Sequence, residues 1–68
     1  MRNNMKAERA RKGMTANEVA EKIGVHVNAL LRWENDEAEP MAGNIVALAK
    51  LYECTPEYLL ESDERKAG

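Results

Sequence analysis

Gly13-Met14-Thr15-Ala16-Asn17-Glu18-Val19-Ala20-Glu21-Lys22-Ile23-Gly24-Val25 is the stretch on which the fold turns. Thr15 with Glu18 three residues later has the form of a capping box, in which each side chain satisfies the other residue's backbone amide at a helix start. Val19, Ala20 and Ile23 then place an apolar stripe at helical spacing. Gly24 stops the helix, because a residue without Cβ enters the left-handed region at no steric cost. The period resumes almost at once, with Ala29, Leu30 and Trp33 on one seam of a helix from about 26 to 35. A helix, a glycine-containing turn of about three or four residues and a second helix form a helix-turn-helix. The small Ala20 lets the two helices cross closely.

Upstream, residues 4 to 12 are rich in Ala, Lys, Arg and Glu, all good helix formers, and Gly13 ends that segment. Downstream, the acidic stretch Asn35 to Pro40 reads as a surface loop. Ile45, Leu48, Ala49 and Tyr52 define a fourth helix starting near Met41 or Ala42, with Gly43 and Asn44 weakening its first turn. Thr55-Pro56 opens a short fifth helix carrying Tyr58, Leu59 and Leu60, with Thr as N-cap and Pro at the first helical position. Strand signals are nearly absent. The expectation is an all-α, compact five-helix bundle in one domain over 1–68, with a folded core of about 4–61 and a C-terminal tail over 62–68.

The chain has 68 residues, of which 44% are hydrophobic and 32% charged, a globular rather than a disordered balance. So small a core yields only ~3–5 kcal/mol, so caps, packing or oligomerisation must contribute. The single cysteine, Cys54, excludes an intramolecular disulfide and fits a reducing cytosol; with no signal peptide or membrane span in the sequence, a cytoplasmic protein is expected. No closely spaced ligand set accompanies His26 or Cys54, so no metal and no cofactor is expected. Nor is there a nucleophile–base pair or a glycine-rich phosphate loop, which argues against an enzyme. The formal net charge is −2, but its distribution is uneven. Arg2, Lys6, Arg9, Arg11 and Lys12 against Glu8 make residues 1–13 net +4, whereas residues 14–39 are net −4.

The residues from Gly13 to Val25 resemble the signature of the lambda-repressor/Cro-like (Xre-type) helix-turn-helix family. Leu30, Trp33-Glu34-Asn35, Pro40, Leu48-Ala49-Lys50 and Tyr58-Leu59-Leu60 continue the pattern in register, over roughly residues 5 to 60. The resemblance implies a sequence-specific DNA-binding transcriptional regulator, a repressor in the first instance, that reads double-stranded DNA as a symmetric homodimer. Its third helix would enter the major groove, which admits a cylinder of that width.

Carried over position by position, the reading face is His26, Val27, Asn28, Leu31 and Arg32. Asn28 suits bidentate pairing with adenine, Arg32 suits guanine or a phosphate, and Val27 suits a thymine methyl. His26 stands where the family commonly has Ser or Thr, so it either caps the helix or meets a phosphate. Asn35 matches a phosphate-contacting position, with Asn17, Lys6 and Asn44 as helpers. Arg9 and Glu34 match a pair that forms a salt bridge between first and third helices in some members, and Trp33 reads as a core anchor. Each of these positions also has an ordinary reading as a solvated or packed helix residue.

Two departures stand out. Ala16 occupies the place where the family often has a Gln that anchors a phosphate and the first base. After Asn35 the family often has Gly and then Lys or Arg, whereas this chain has Asp36-Glu37-Ala38-Glu39, whose carboxylates would repel a duplex backbone. An alternative follows: an antitoxin-like or other protein-interaction module on the same scaffold, with a protein partner in place of DNA. For the homodimer, the apolar set Tyr52, Tyr58, Leu59 and Leu60 is the expected surplus surface, the alternative being that these residues close the monomer's own core.

Overall fold

The structure, a computed structural model, describes residues 2–61; the expected tail over 62–68 lies outside them. Five helices follow in order: α1 (Asn3–Arg11), α2 (Ala16–Ile23), α3 (Val27–Glu34), α4 (Ala42–Tyr52) and α5 (Pro56–Leu60). Among the described residues there is no strand. The first helix begins and ends one residue earlier than its composition suggests; the other starts fall where the caps place them.

The caps are made as the sequence requires. Thr15 Oγ1 accepts from the Glu18 amide at 3.1 Å, and Glu18 Oε1 accepts from the Thr15 amide at 2.8 Å. Thr55 Oγ1 accepts from the Tyr58 amide at 3.2 Å, with Pro56 at the first helical position. Each of the first four helices is closed by a left-handed residue: Gly13 (φ 69°), Gly24 (φ 77°), Asp36 (φ 65°) and Glu53 (φ 61°). The following amide reaches back to a carbonyl of the last turn, as in Met14 N–H to Arg9 O and Glu37 N–H to Arg32 O. A Cβ at Gly24 would touch nothing, so the demand for glycine there is conformational and not steric.

All five helices meet in one core. Met5 comes from α1, Val19 and Ala20 from α2, Leu30 and Trp33 from α3, Ile45, Leu48, Ala49 and Tyr52 from α4, and Leu59 from α5. Trp33 is the core anchor that its position suggests. The expected dimer surplus needs correction: Tyr52 and Leu59 are completely buried and close the monomer's own core, so only Tyr58 and Leu60 of that set remain exposed.

Among the described residues two charged side chains are buried in the fold, Arg2 and Glu34. Glu34, at the end of α3, is fully buried, and Arg9 of α1 grips its carboxylate with two bonds, Nε to Oε2 at 2.8 Å and Nη2 to Oε1 at 3.0 Å. The hydrogen bond to Glu34 raises the Arg9 pKa, against a smaller opposing effect of burial. A buried carboxylate that loses its partner is left as an uncompensated charge. Arg9→Ala should therefore destabilise the fold by about 3 kcal/mol, most of what a domain of this size holds. Denaturant titration checks this, and a loss below about 1 kcal/mol, as for a surface ion pair, would contradict it.

Tyr52 is buried with its hydroxyl lacking a hydrogen-bond partner. Burial, reinforced by the Glu34 carboxylate, pushes the phenol from its usual 10.0 up to about 12. The folded state thus holds this proton more tightly than the unfolded chain does. Its contribution to stability is complete below pH 10 and is lost as the pH climbs towards 12. Tyr52→Phe should match or exceed the parent stability at pH 7 and raise the midpoint of alkaline unfolding. A clear loss of stability at pH 7 would show that the hydroxyl has a partner.

Candidate nucleic-acid interface

Helix α3 presents two opposite stripes. Leu30, Trp33 and Glu34 face inward and are buried. Asn28, Leu31, Arg32 and Asn35, at i, i+3, i+4 and i+7, are exposed along the outer side. The structure thus gathers most of the expected reading residues onto one helical face. Val27 is half-buried and packs against the core, so only part of its surface is available.

His26 resolves in favour of the cap. Its Nδ1 accepts a hydrogen bond from the Asn28 amide at 3.2 Å, the N-cap geometry in which a Ser or Thr hydroxyl would otherwise serve. That bond requires the neutral tautomer with its proton on Nε2, leaving Nε2–H as a second, separate donor. Capping and a phosphate contact are therefore compatible on one ring.

The helper residues lie on three other helices. Asn17 is exposed in the first turn of α2, while Ala16 beside it packs partly against the core. Lys6 on α1 and Asn44 in the first turn of α4 are half-buried. No side chain caps the start of α4, where Met41 is the N-cap, although the Asn44 amide donates to the Met41 carbonyl at 2.9 Å.

The electrostatics differ from the sequence-level picture. The basic N-terminal segment is not a free cationic face, because most of its charges are engaged within the fold. Arg9 holds Glu34, Arg11 pairs with Glu8 at 2.7 Å and donates to the Tyr52 carbonyl at 2.9 Å, and Lys12 lies 3.5 Å from Glu53. Arg2 is 3% exposed and reaches into the loop after α3. Its Nη2 pairs with Asp36 at 3.1 Å and with Glu39. The stretch from Asn35 to Pro40 is the surface loop expected, with none of its residues buried, but two of its three carboxylates pair with a buried guanidinium and Glu37 is exposed. Arg2 is the residue that sequence reasoning missed. Among the described residues, Lys22, Arg32 and Lys50 are exposed cations without an ion pair.

No group of three or more His, Cys, Asp or Glu that could hold a metal occurs among the described residues. Burial raises the Cys54 pKa, which favours the inert thiol. A concavity of about 500 Å³ lies beside Gly13, Met14, Glu18, Glu21 and Lys22, away from the outer face of α3, and contains no nucleophile–base pair. No helix among the described residues is long and apolar enough to cross a membrane.

The fold and the outward face of α3 define a helix-turn-helix protein. Residues 5–59 match the helix-turn-helix family, and the chain belongs to it, in its lambda-repressor/Cro-like branch. It is 44% identical over 41 residues to Repressor protein C2 of Salmonella phage P22, covering 60% of this chain and 19% of that protein. It is 35% identical over 60 residues to the HTH-type transcriptional regulator ImmR of Bacillus subtilis (strain 168), covering 88% of this chain and 47% of that protein. The chain therefore spans less than half the length of either relative. Among solved structures, the DNA-binding domain of the P22 C2 repressor superposes with a TM-score of 0.77 at 33% identity, over 90% of this chain and 80% of that one.

The His26 cap gives a direct test. His26→Ala should cost about 0.5–2 kcal/mol of stability, and His26→Ser should recover it. Thermal unfolding of the two variants checks this. Equal stability of the alanine variant and the parent would mean that the Nδ1 bond contributes nothing.

Proposed function

We propose that this chain is the DNA-binding domain of a cytoplasmic transcriptional regulator, a repressor, that reads the major groove of double-stranded DNA with the outer face of α3. The observation that carries this reading is the exposed stripe Asn28, Leu31, Arg32 and Asn35 on a helix whose opposite stripe is core. The relatives agree in kind: one is named a repressor and one a transcriptional regulator, and the matched solved domain is described as DNA-binding.

In this reading Asn28 pairs with an adenine edge, Arg32 with guanine or a phosphate, and Val27 with a thymine methyl. Asn35, Asn17, Asn44, Lys6 and the Nε2–H of His26 fix the register on the sugar–phosphate backbone, a role that carries no sequence information. Ala16 supplies no hydrogen bond, so α2 contributes less than the family pattern offers. The chain acts as a homodimer, because one reading helix covers too few base pairs to specify a genomic site. The operator is then an inverted repeat with half-sites roughly 34–36 Å apart.

The second reading, a protein-interaction module, draws on the exposed apolar Leu31 in the middle of the same face. Its other motive, the acidic loop, is weakened by the Arg2 pairing. Duplex binding separates the two. Each phosphate that Arg32 or Lys6 neutralises adds about 0.9 to the slope of log affinity against log salt, up to about two units per protomer. Asn28→Ala should cost about 1–3 kcal/mol on the preferred site and relax preference at one base pair. A random-duplex selection at several salt concentrations measures both. Failure to enrich any sequence, with no salt dependence, would favour the protein partner.

A further inference from the structure

Arg2 makes more contacts than scaffolding of the bundle requires. It precedes α1, and the first core residue of that helix is Met5, so the helices close without it. Yet Arg2 is among the most buried side chains in the protein, and nearly all its bonds go to the C-terminal end of the reading helix and to the loop beyond it. Its amide donates to the Glu34 carbonyl at 2.9 Å. Its Nη1 donates to the carbonyls of Trp33 at 2.7 Å and Ala38 at 3.1 Å, one on each side of the turn. Its Nη2 takes the Asp36 carboxylate at 3.1 Å and the Glu39 carboxylate.

Three independent features meet here. The last carbonyls of α3 lie at the negative end of the helix dipole, and Arg2 serves two of them, its guanidinium donating to the Trp33 carbonyl and its amide to that of Glu34. Asp36 sits at φ 65°, a conformation that disfavours any residue with a Cβ, and the Arg2 pairing fastens it there. Finally, Asp36 and Glu39 follow the helix that would face a polyanion, and Arg2 draws both carboxylates onto itself.

We propose that Arg2 is a positioning residue for DNA binding: it ties down the loop 36–39 and offsets the charge of two of its carboxylates, half-buried Asp36 and the still exposed Glu39, so that their repulsion of a duplex is reduced and the end of α3 is fixed. This rests on the DNA-binding reading above. It also explains how an acidic loop is tolerated where a basic one would be the simpler solution. Asp36 and Glu39 serve as the receptor for the N-terminal arm rather than as a repulsive element.

The experiment compares the parent chain, Arg2→Ala, Arg2→Lys, and Arg2→Ala combined with Asp36→Asn and Glu39→Gln. Each is measured by thermal unfolding, by amide exchange over 35–39, and by binding to the duplex that the parent prefers. Arg2→Ala should weaken binding by about tenfold at 0.1 M salt, and the deficit should shrink at about 1 M, where repulsion between exposed charges is screened within about 3 Å. Removing the two carboxylates in the same chain should restore affinity to within about threefold of the parent at 0.1 M, since the repulsion has lost its source. Arg2→Lys, which keeps the charge but not the fork, should fall in between.

Loss of binding that the Asn and Gln changes do not restore would overturn the proposal and leave Arg2 a merely structural residue. Unchanged binding by Arg2→Ala would overturn it as well. If the parent chain itself selects no duplex, the DNA reading fails and the proposal falls with it, which is a different result from either of these.

Discussion

The buried carboxylate of Glu34 is the constraint on which the arrangement depends. It lies at the end of the reading helix, with no exposure to water, and its charge is balanced by the two-pronged grip of Arg9 from α1. Charge burial of this kind contributes little to net stability but penalises every arrangement in which the pair is broken. It therefore fixes how α3 lies against α1. The backbone of the same residue is used again, because its carbonyl receives the Arg2 amide. One residue thus joins the first helix, the reading helix and the N-terminal arm, while its neighbours on the opposite stripe of α3 remain exposed.

Charge is consequently distributed differently from its order along the chain. The N-terminal cations, which look like an electrostatic footprint for a polyanion, hold the fold together instead. Arg2 clamps a loop, Arg9 holds a buried carboxylate, and Arg11 ties α1 to the end of α4. On the outer stripe of α3 itself the only cation is Arg32. Such a surface favours recognition through geometry and base edges over strong non-specific attraction. That is consistent with a net charge of −2 in a DNA-binding domain.

Much of the fold was legible because it is written in local chemistry. Thr15 with Glu18, Thr55 with Pro56, and Gly24 each act within a few residues, and the structure places a cap or a stop at each. The exposed face of α3 was legible for the same reason, since helical periodicity assigns Asn28, Leu31 and Arg32 to the side opposite Leu30 and Trp33. The Arg2 clamp was not, because its partners lie 31 to 37 residues away and no periodicity links an arm to a loop. Tyr52 and Leu59 were misassigned to a dimer surface for a related reason. An apolar side chain on a helix looks identical in sequence whether it meets its own core or a second copy. Nor does anything local announce that Asp36 is a left-handed residue held by a distant arginine.

Whether the outer face of α3, anchored from behind by Glu34, is the surface that meets DNA is decided by titrating the isotopically labelled chain with a duplex of its selected sequence while following backbone amide shifts. The largest changes should fall on residues 26–35, with smaller ones at Asn17 and Asn44, while Ile45, Leu48 and Leu59 hardly move. Changes concentrated instead on Met41, Val46, Tyr58 and Leu60, the exposed apolar residues outside α3, with α3 silent, would contradict that role for the face.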